Sequence, residues 1–307
     1  MTRTLPDHPV HWDDGEPPRH APSPAADPWV TLRAHTPARI ALGRAGTSLP
    51  TAEVLRFAAA HAGARDAVHL PLDVDSLLAD LRVQGVEATC VSSRAGSRVE
   101  YLTRPDLGRQ LAPAARDALE SMRLGGGGSC DFAQNDMPPE AASSNGHPAR
   151  SRGIHPSQGV CIIIADGLSA IAAQRHAAPL VAELAKAGVT ASHVVVATQA
   201  RVALGDEIGE CLGAQMVVML LGERPGLSSP DSLGAYLTWA PRAGRVDSER
   251  NCVSNIRPEG LALPAAAGRI AWLVREAQRR RVTGIELKDE SDVPAVGDDR
   301  APELPPT

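Results

Sequence analysis

Apolar residues fall into two rhythms along this chain. From Gly159 onward, short unbroken apolar runs alternate with longer amphipathic stretches, whereas before Leu124 the apolar positions recur mainly at helical spacing. Val160–Ala165 (VCIIIA), His193–Ala197 (HVVVA) and Met216–Leu221 (MVVMLL) are the unbroken runs. Each reads as a strand buried on both faces of a sheet. Ala235–Trp239 reads as a fourth strand. Between the first two runs, Ser169–Ala187 is Ala-rich with Leu180, Leu184 and Ala187 in helical phase, and Gly188 closes it. Gly205–Leu212 is a shorter helix, and Pro264–Arg281 is a closing one, basic at its C-terminal end.

Strand, helix, strand, helix, strand predicts an α/β fold with a parallel sheet, Rossmann-like, over residues 159–286. The stretch Gly205–Gly226 (GDEIGECLGAQMVVMLLGERPG) is its centre. Ligands in such sheets lie outside the carboxyl ends of the strands. That topology selects Asp166, Thr198–Val202 and Gly222–Pro225. Neither GxGxxG nor a Walker P-loop is present, so the pattern alone names no ligand.

Residues 29–123 predict a smaller, mainly helical region. Thr51–Ala62 is a helix with Thr51 as N-cap, an apolar stripe of Val54, Leu55 and Ala58, and Gly63 as its stop. Asp75–Arg82 and Ala112–Arg123 are further helices, and Glu87–Val91 is a short strand. Tyr101–Gln110 (YLTRPDLGRQ) is a turn in which Arg104 and Arg109 flank Asp106 as a surface ion pair. Three stretches lack any period: the Pro-, His- and Asp-rich residues 1–28, the Gly/Ser/Pro-rich residues 124–158, and the acidic residues 287–307. They are expected to be a disordered leader, a flexible insertion and a disordered tail.

Composition narrows the class. Of 307 residues, 43% are hydrophobic and only 3% aromatic, so Ala, Val, Leu and Ile must build the core. A net charge of −5 offers no general attraction to nucleic acid or to an acidic membrane surface. No apolar run approaches the roughly 20 residues of a bilayer span. The segment MTRTLPDHPVHWDDGEPP lacks a secretory h-region, and cysteines without a disulfide framework make a reducing cytoplasm the simplest home. The five cysteines are scattered without a CxxC pair, against a disulfide framework or a structural zinc site. His147 and His155 have no second ligand at a useful spacing, so no metal site is expected.

No catalytic constellation emerges either. Asp206, Glu207 and Glu210 read as solvated charges at a helix start. Ser169 lacks a GxSxG setting, and Cys252 (RNCVSN) has no histidine nearby in sequence. Such a chain binds a cofactor or a partner and leaves the chemistry to another protein.

Five blocks, in order, carry a resemblance. They are ARIALGRAG (Ala38–Gly46), EYLTRPDLGRQL (Glu100–Leu111), IIADGLSA (Ile163–Ala170), GDEIGECLGAQMVVMLLGERPGL (Gly205–Leu227) and ERNCVSNI (Glu249–Ile256). Together the chain resembles the small (light) chain of ethanolamine ammonia-lyase, the adenosylcobalamin-dependent enzyme that converts ethanolamine into acetaldehyde and ammonia. It departs from the family in its leader, which lacks an amphipathic helical start, and in the 124–158 stretch. The resemblance implies a cobalamin-holding domain and a large (heavy) subunit partner, a TIM barrel that performs the reaction. It also implies a hetero-oligomer with equal numbers of both chains. Residence in a bacterial microcompartment stays open. By matching motif, Val202, Glu223 and Cys252 become the expected cofactor contacts, with Arg201 as a donor to the nucleotide phosphate. An independent nucleotide-dependent oxidoreductase and a non-catalytic scaffold are the alternatives.

Overall fold

A computed structural model describes residues 28–33, 35–36, 38–124 and 159–291. Most of the expected leader, of the expected insertion and of the expected acidic tail lies outside the described residues, though Pro28 opens a helix. The chain divides into two compact units, Met1–Phe57 and Ala58–Thr307.

The first unit holds α1 (Pro28–Arg33) and the start of α2 (Thr51–His69). α2 does not stop at Gly63 but runs six residues further. Gly63 keeps a negative φ, and a mid-helix glycine costs only about 1 kcal/mol. The expected apolar stripe is not buried: Val54 and Leu55 are 50% and 64% exposed.

The second unit is built on one six-stranded sheet. In chain order its elements are α3 (Val74–Val83), β1 (Thr89–Ser92), α4 (Arg98–Thr103), α5 (Pro113–Arg123) and β2 (Val160–Ala165). Then come α6 (Ala170–Ala172), a π turn at Ala173–Ala177, α7 (Ala178–Lys186), β3 (Ala191–Thr198), α8 (Leu204–Leu212) and β4 (Met216–Gly222). β5 (Leu233–Trp239), β6 (Arg250–Ile256) and α9 (Leu263–Arg280) finish it. The predicted Ser169–Ala187 helix forms, but with the π turn inside it. Pro179 explains that local widening, because it has no N–H to close the regular ladder.

Strand order is β1-β3-β2-β4-β5-β6. β1, β3, β2 and β4 are parallel. β5 and β6 are antiparallel, so the sheet is mixed, and the expectation of a parallel sheet holds only for its first four strands. The reason is the connection. Only residues 223–232 separate β4 from β5, with no helix among them, and a parallel return needs a longer crossover.

Alternation along β2 explains why its run is unbroken. Ile162 and Ile164 pack with Leu77 and Leu81 of α3, Leu180 and Leu184 of α7, and Ile270 of α9. Cys161, Ile163 and Ala165 face the other way, onto Leu119 of α5 and Ile208 and Leu212 of α8. Helices therefore cover both faces, and all six β2 residues are buried. None of the described helices is long and apolar enough to cross a membrane.

Candidate functional site

At the carboxyl ends of β2 and β4 the two backbones nearly touch. Leu168 donates its N–H to the Gly222 carbonyl at 2.9 Å. A Cβ on Gly167, whose φ is +54°, would lie 2.1 Å from that carbonyl oxygen, and one on Gly222 would lie 2.0 Å from the Ser169 oxygen. Only glycine fits at both positions. Two loops open on either side of this closed seam.

The first follows β3. Gln199 has a φ of +56°, a conformation that costs a non-glycine residue about 1–2 kcal/mol. Buried Asp166 holds it, accepting from the N–H of Gln199 at 2.9 Å and of Ala200 at 3.0 Å. Burial pushes the Asp166 carboxyl above the ordinary carboxylate range, while Arg98 and these N–H groups pull it back. Arg98 donates to it at 3.1 Å. Fully buried Tyr101 donates its hydroxyl to the Ala200 carbonyl at 3.0 Å. Its ring lies 4.8 Å from the Arg98 guanidinium and 4.4 Å from that of Arg201, both within cation–π range. Burial raises the Tyr101 pKa, so it stays a neutral donor. The Arg201 backbone N–H donates to the Gly108 carbonyl at 2.8 Å and its Nη2 to the Tyr101 carbonyl at 3.4 Å, while its Nε is buried without a hydrogen-bond partner. Val202 packs on the apolar cluster beneath α8.

The second loop follows β4. Glu223 is tied through Oε2, which accepts from the Ser232 hydroxyl and, at 3.3 Å, from the Asn255 N–H. Its Oε1 lies over Gly234, where a Cβ would stand 2.8 Å away. Tyr236 is opposite Cys252 in the β5–β6 ladder, and its hydroxyl interacts with the thiol. α9 covers one face of these two strands, packing on Ala235, Leu237 and Val253. On the other face Cys252 is exposed and Tyr236 half-buried. Surrounding protein pushes the Cys252 thiol pKa up, against the pull of the Tyr236 hydroxyl, and the Glu223 charge adds to the rise. A neutral thiol is a poor nucleophile.

Glu223 and Cys252 thus share one neighbourhood through Tyr236, and Arg201 and Val202 share another at the β3 loop. Tyr236 and Val202 pack against the same apolar cluster. Of the three acidic residues at the helix start, Glu210 is exposed as expected, but Asp206 and Glu207 are not solvated charges. Asp206 is buried and paired with Arg250, which is also buried. Glu207 accepts from the Leu111 N–H at 2.9 Å and from Arg116 at 2.8 Å. These carboxylates fasten α8 to β6 and α5. The Arg104–Asp106 pair does form, at 2.8 Å and well exposed. A separate hollow of about 340 Å³, lined by Trp239, Arg245, Glu249 and Thr283 among others, contains none of the candidate residues.

Sequence reasoning missed Arg98, Tyr101 and Tyr236. The first two stand in or beside the YLTRPDLGRQ block, so that block was their signal. The donor set suits an amide- and phosphate-bearing ligand. Glu223 makes both of its hydrogen bonds through Oε2, the Arg201 guanidinium lies over the Tyr101 ring, and Cys252 and Tyr236 offer a soft surface. No group of His, Cys, Asp and Glu among the described residues could hold a metal ion.

Comparison with known proteins agrees in one direction. The family model described as "Ethanolamine ammonia-lyase light chain (EutC)" matches residues 26–133 and 147–288. A protein of Xanthomonas campestris pv. campestris (strain B100) named "Ethanolamine ammonia-lyase small subunit" is 46% identical over 288 residues, 92% of this chain and 96% of its own. Proteins of the same name from Azotobacter vinelandii (49% over 276 residues, 88% and 92% of the two chains) and Ralstonia nicotianae (50% over 272 residues, 87% and 90%) are similar to it as well. The chain belongs to the ethanolamine ammonia-lyase light-chain family.

Proposed function

We propose that this chain holds cobalamin at an interface with the large subunit of an adenosylcobalamin-dependent ethanolamine ammonia-lyase, an assembly with equal numbers of both chains. The observation that carries this reading is Glu223. Its carboxylate is fixed through one oxygen, keeps the other for a donor, and stands beside a strand pair whose other face is open at Cys252 and Tyr236. In that role Glu223 accepts from the amides at the corrin edge. Arg201 donates to the nucleotide phosphate, Val202 gives backbone groups and an apolar wall, and Cys252 packs alongside. The cofactor, when bound, supplies the radical chemistry of the deamination, and this chain contributes placement. Its catalytic residues belong to the large subunit, and the site of action is the cytoplasm, with or without a microcompartment shell. Neither nucleic acid nor a membrane is a partner in this reading.

The order β3-β2-β4, with α7 and α8 on opposite faces, supports calling the domain Rossmann-like. A dinucleotide oxidoreductase fits less well, because the seam at Gly167 and Gly222 leaves no room for a pyrophosphate between those strand ends.

The test is purification of the chain with its large subunit, followed by titration with hydroxocobalamin read by absorbance. Glu223→Ala and Arg201→Ala are each expected to weaken binding by about tenfold, the worth of one charge-assisted hydrogen bond. Unchanged affinity in both ends the reading.

A further inference from the structure

Residues 199–201 are held more firmly than a surface loop requires. Asp166 accepts from two successive N–H groups, those of Gln199 and Ala200. Arg98 fixes Asp166 in turn, its Nη1 donating to the carboxylate at 3.1 Å and to the Gly167 carbonyl at 2.8 Å. Its Nε donates to the Val68 carbonyl at 2.8 Å. Tyr101 bonds the Ala200 carbonyl, and Gly108 takes the Arg201 N–H. Gly108 also packs against the Tyr101 ring and the Arg201 stem so closely that a Cβ there would meet them at 2.9–3.1 Å. All this restraint converges on a segment with a left-handed Gln199 at its head and Arg201 and Val202 at its end. Backbone strain over-determined by its surroundings marks places where geometry matters.

We propose that Asp166 is a positioning residue for cofactor binding. With Arg98 and Tyr101 it fixes the strained Gln199–Arg201 backbone that presents Arg201 and Val202, and it does so without touching the cofactor. This rests on the reading of the site given above.

The two-chain complex carrying Asp166→Asn tests it, through the dissociation constant for hydroxocobalamin by absorbance, KM for adenosylcobalamin against kcat, and the urea midpoint. Asn preserves shape but sets an NH₂ against a backbone N–H. The expected result is affinity weaker by about tenfold with kcat at saturating cofactor within about twofold of wild type. Adding Gln199→Gly is expected to restore most of the affinity, because glycine adopts that φ unaided. An unchanged dissociation constant overturns the proposal. So does a weakened one that Gln199→Gly leaves untouched while the urea midpoint falls. Should the Asn variant not assemble, Tyr101→Phe replaces it, deleting one bond to the loop and keeping the ring. A loss of about threefold supports the proposal, and wild-type affinity overturns it. Glu223→Ala in the same titration separates the two levels. If it binds weakly and Asp166→Asn binds normally, only the positioning role fails. If both bind normally, the site itself is misread.

Discussion

The Glu223 carboxylate lies across Gly234, with Oε1 occupying the space a β-carbon there would need, 2.8 Å away. Gly234 sits on β5 at an ordinary backbone conformation, so its lack of a side chain serves the neighbour rather than the turn. Gly234→Ala is expected to displace Glu223 from Ser232 and Asn255. Overpacking of this kind costs about 1–3 kcal/mol. Urea unfolding checks the cost, and the cobalamin titration checks whether affinity falls together with Glu223→Ala.

Asp206 and Arg250 form a buried pair between α8 and β6. Removing one partner strands the other charge. Arg250→Leu is expected to cost about 3–5 kcal/mol, with Asp206→Asn costing less because amide and guanidinium still bond. A double-mutant cycle by urea unfolding measures the coupling. Additive costs would show that the pair does not stabilise the fold as a unit.

Asp231 sits between Arg175, at 3.0 Å, and His176, at 3.4 Å. Burial pushes its carboxyl up, but the Arg175 bond and the His176 contacts outweigh this and hold it below the usual range. A carboxyl with a depressed folded-state pKa contributes stability above its unfolded pKa and loses it as pH falls through the folded one. The stability gap between wild type and Asp231→Asn is therefore expected to be full near neutrality and to close in acid, below about pH 4. Urea midpoints across that range read it.

Cys252 is exposed yet its thiol is held protonated, by crowding first and by the Glu223 charge in addition. Alkylation with iodoacetamide at pH 7 is expected to be slower than for a free cysteine, and Glu223→Gln is expected to speed it. Equal rates in both proteins would remove Glu223 from the thiol's surroundings.

Much of the frame was legible because burial on both faces leaves an unmistakable mark. VCIIIA is β2 to the residue, and MVVMLL is β4 but for its terminal glycine. Direction was not legible, since an apolar run reads alike either way, and β5 turned out antiparallel. β6 was invisible: in RNCVSNI only Arg250, Val253 and Ile256 are buried, so the run lacks an apolar signature. At the candidate site, strand-end topology selected Val202 and Glu223 as candidates, and the resemblance carried by GERPG and RNCVSN added Cys252. The supports escaped notice because they come from afar. Tyr101 and Ala200 are 99 positions apart, and Asp206 reads as a solvated helix-start charge until Arg250 is seen across from it.

The doubling back of the sheet after β4 has an architectural outcome. One side of the added hairpin rests on α9, while on the other α8 meets its Arg250 end and, among the described residues, Cys252 stays exposed. On the cobalamin-holding reading, a companion chain that closes over such a guest meets it from this side.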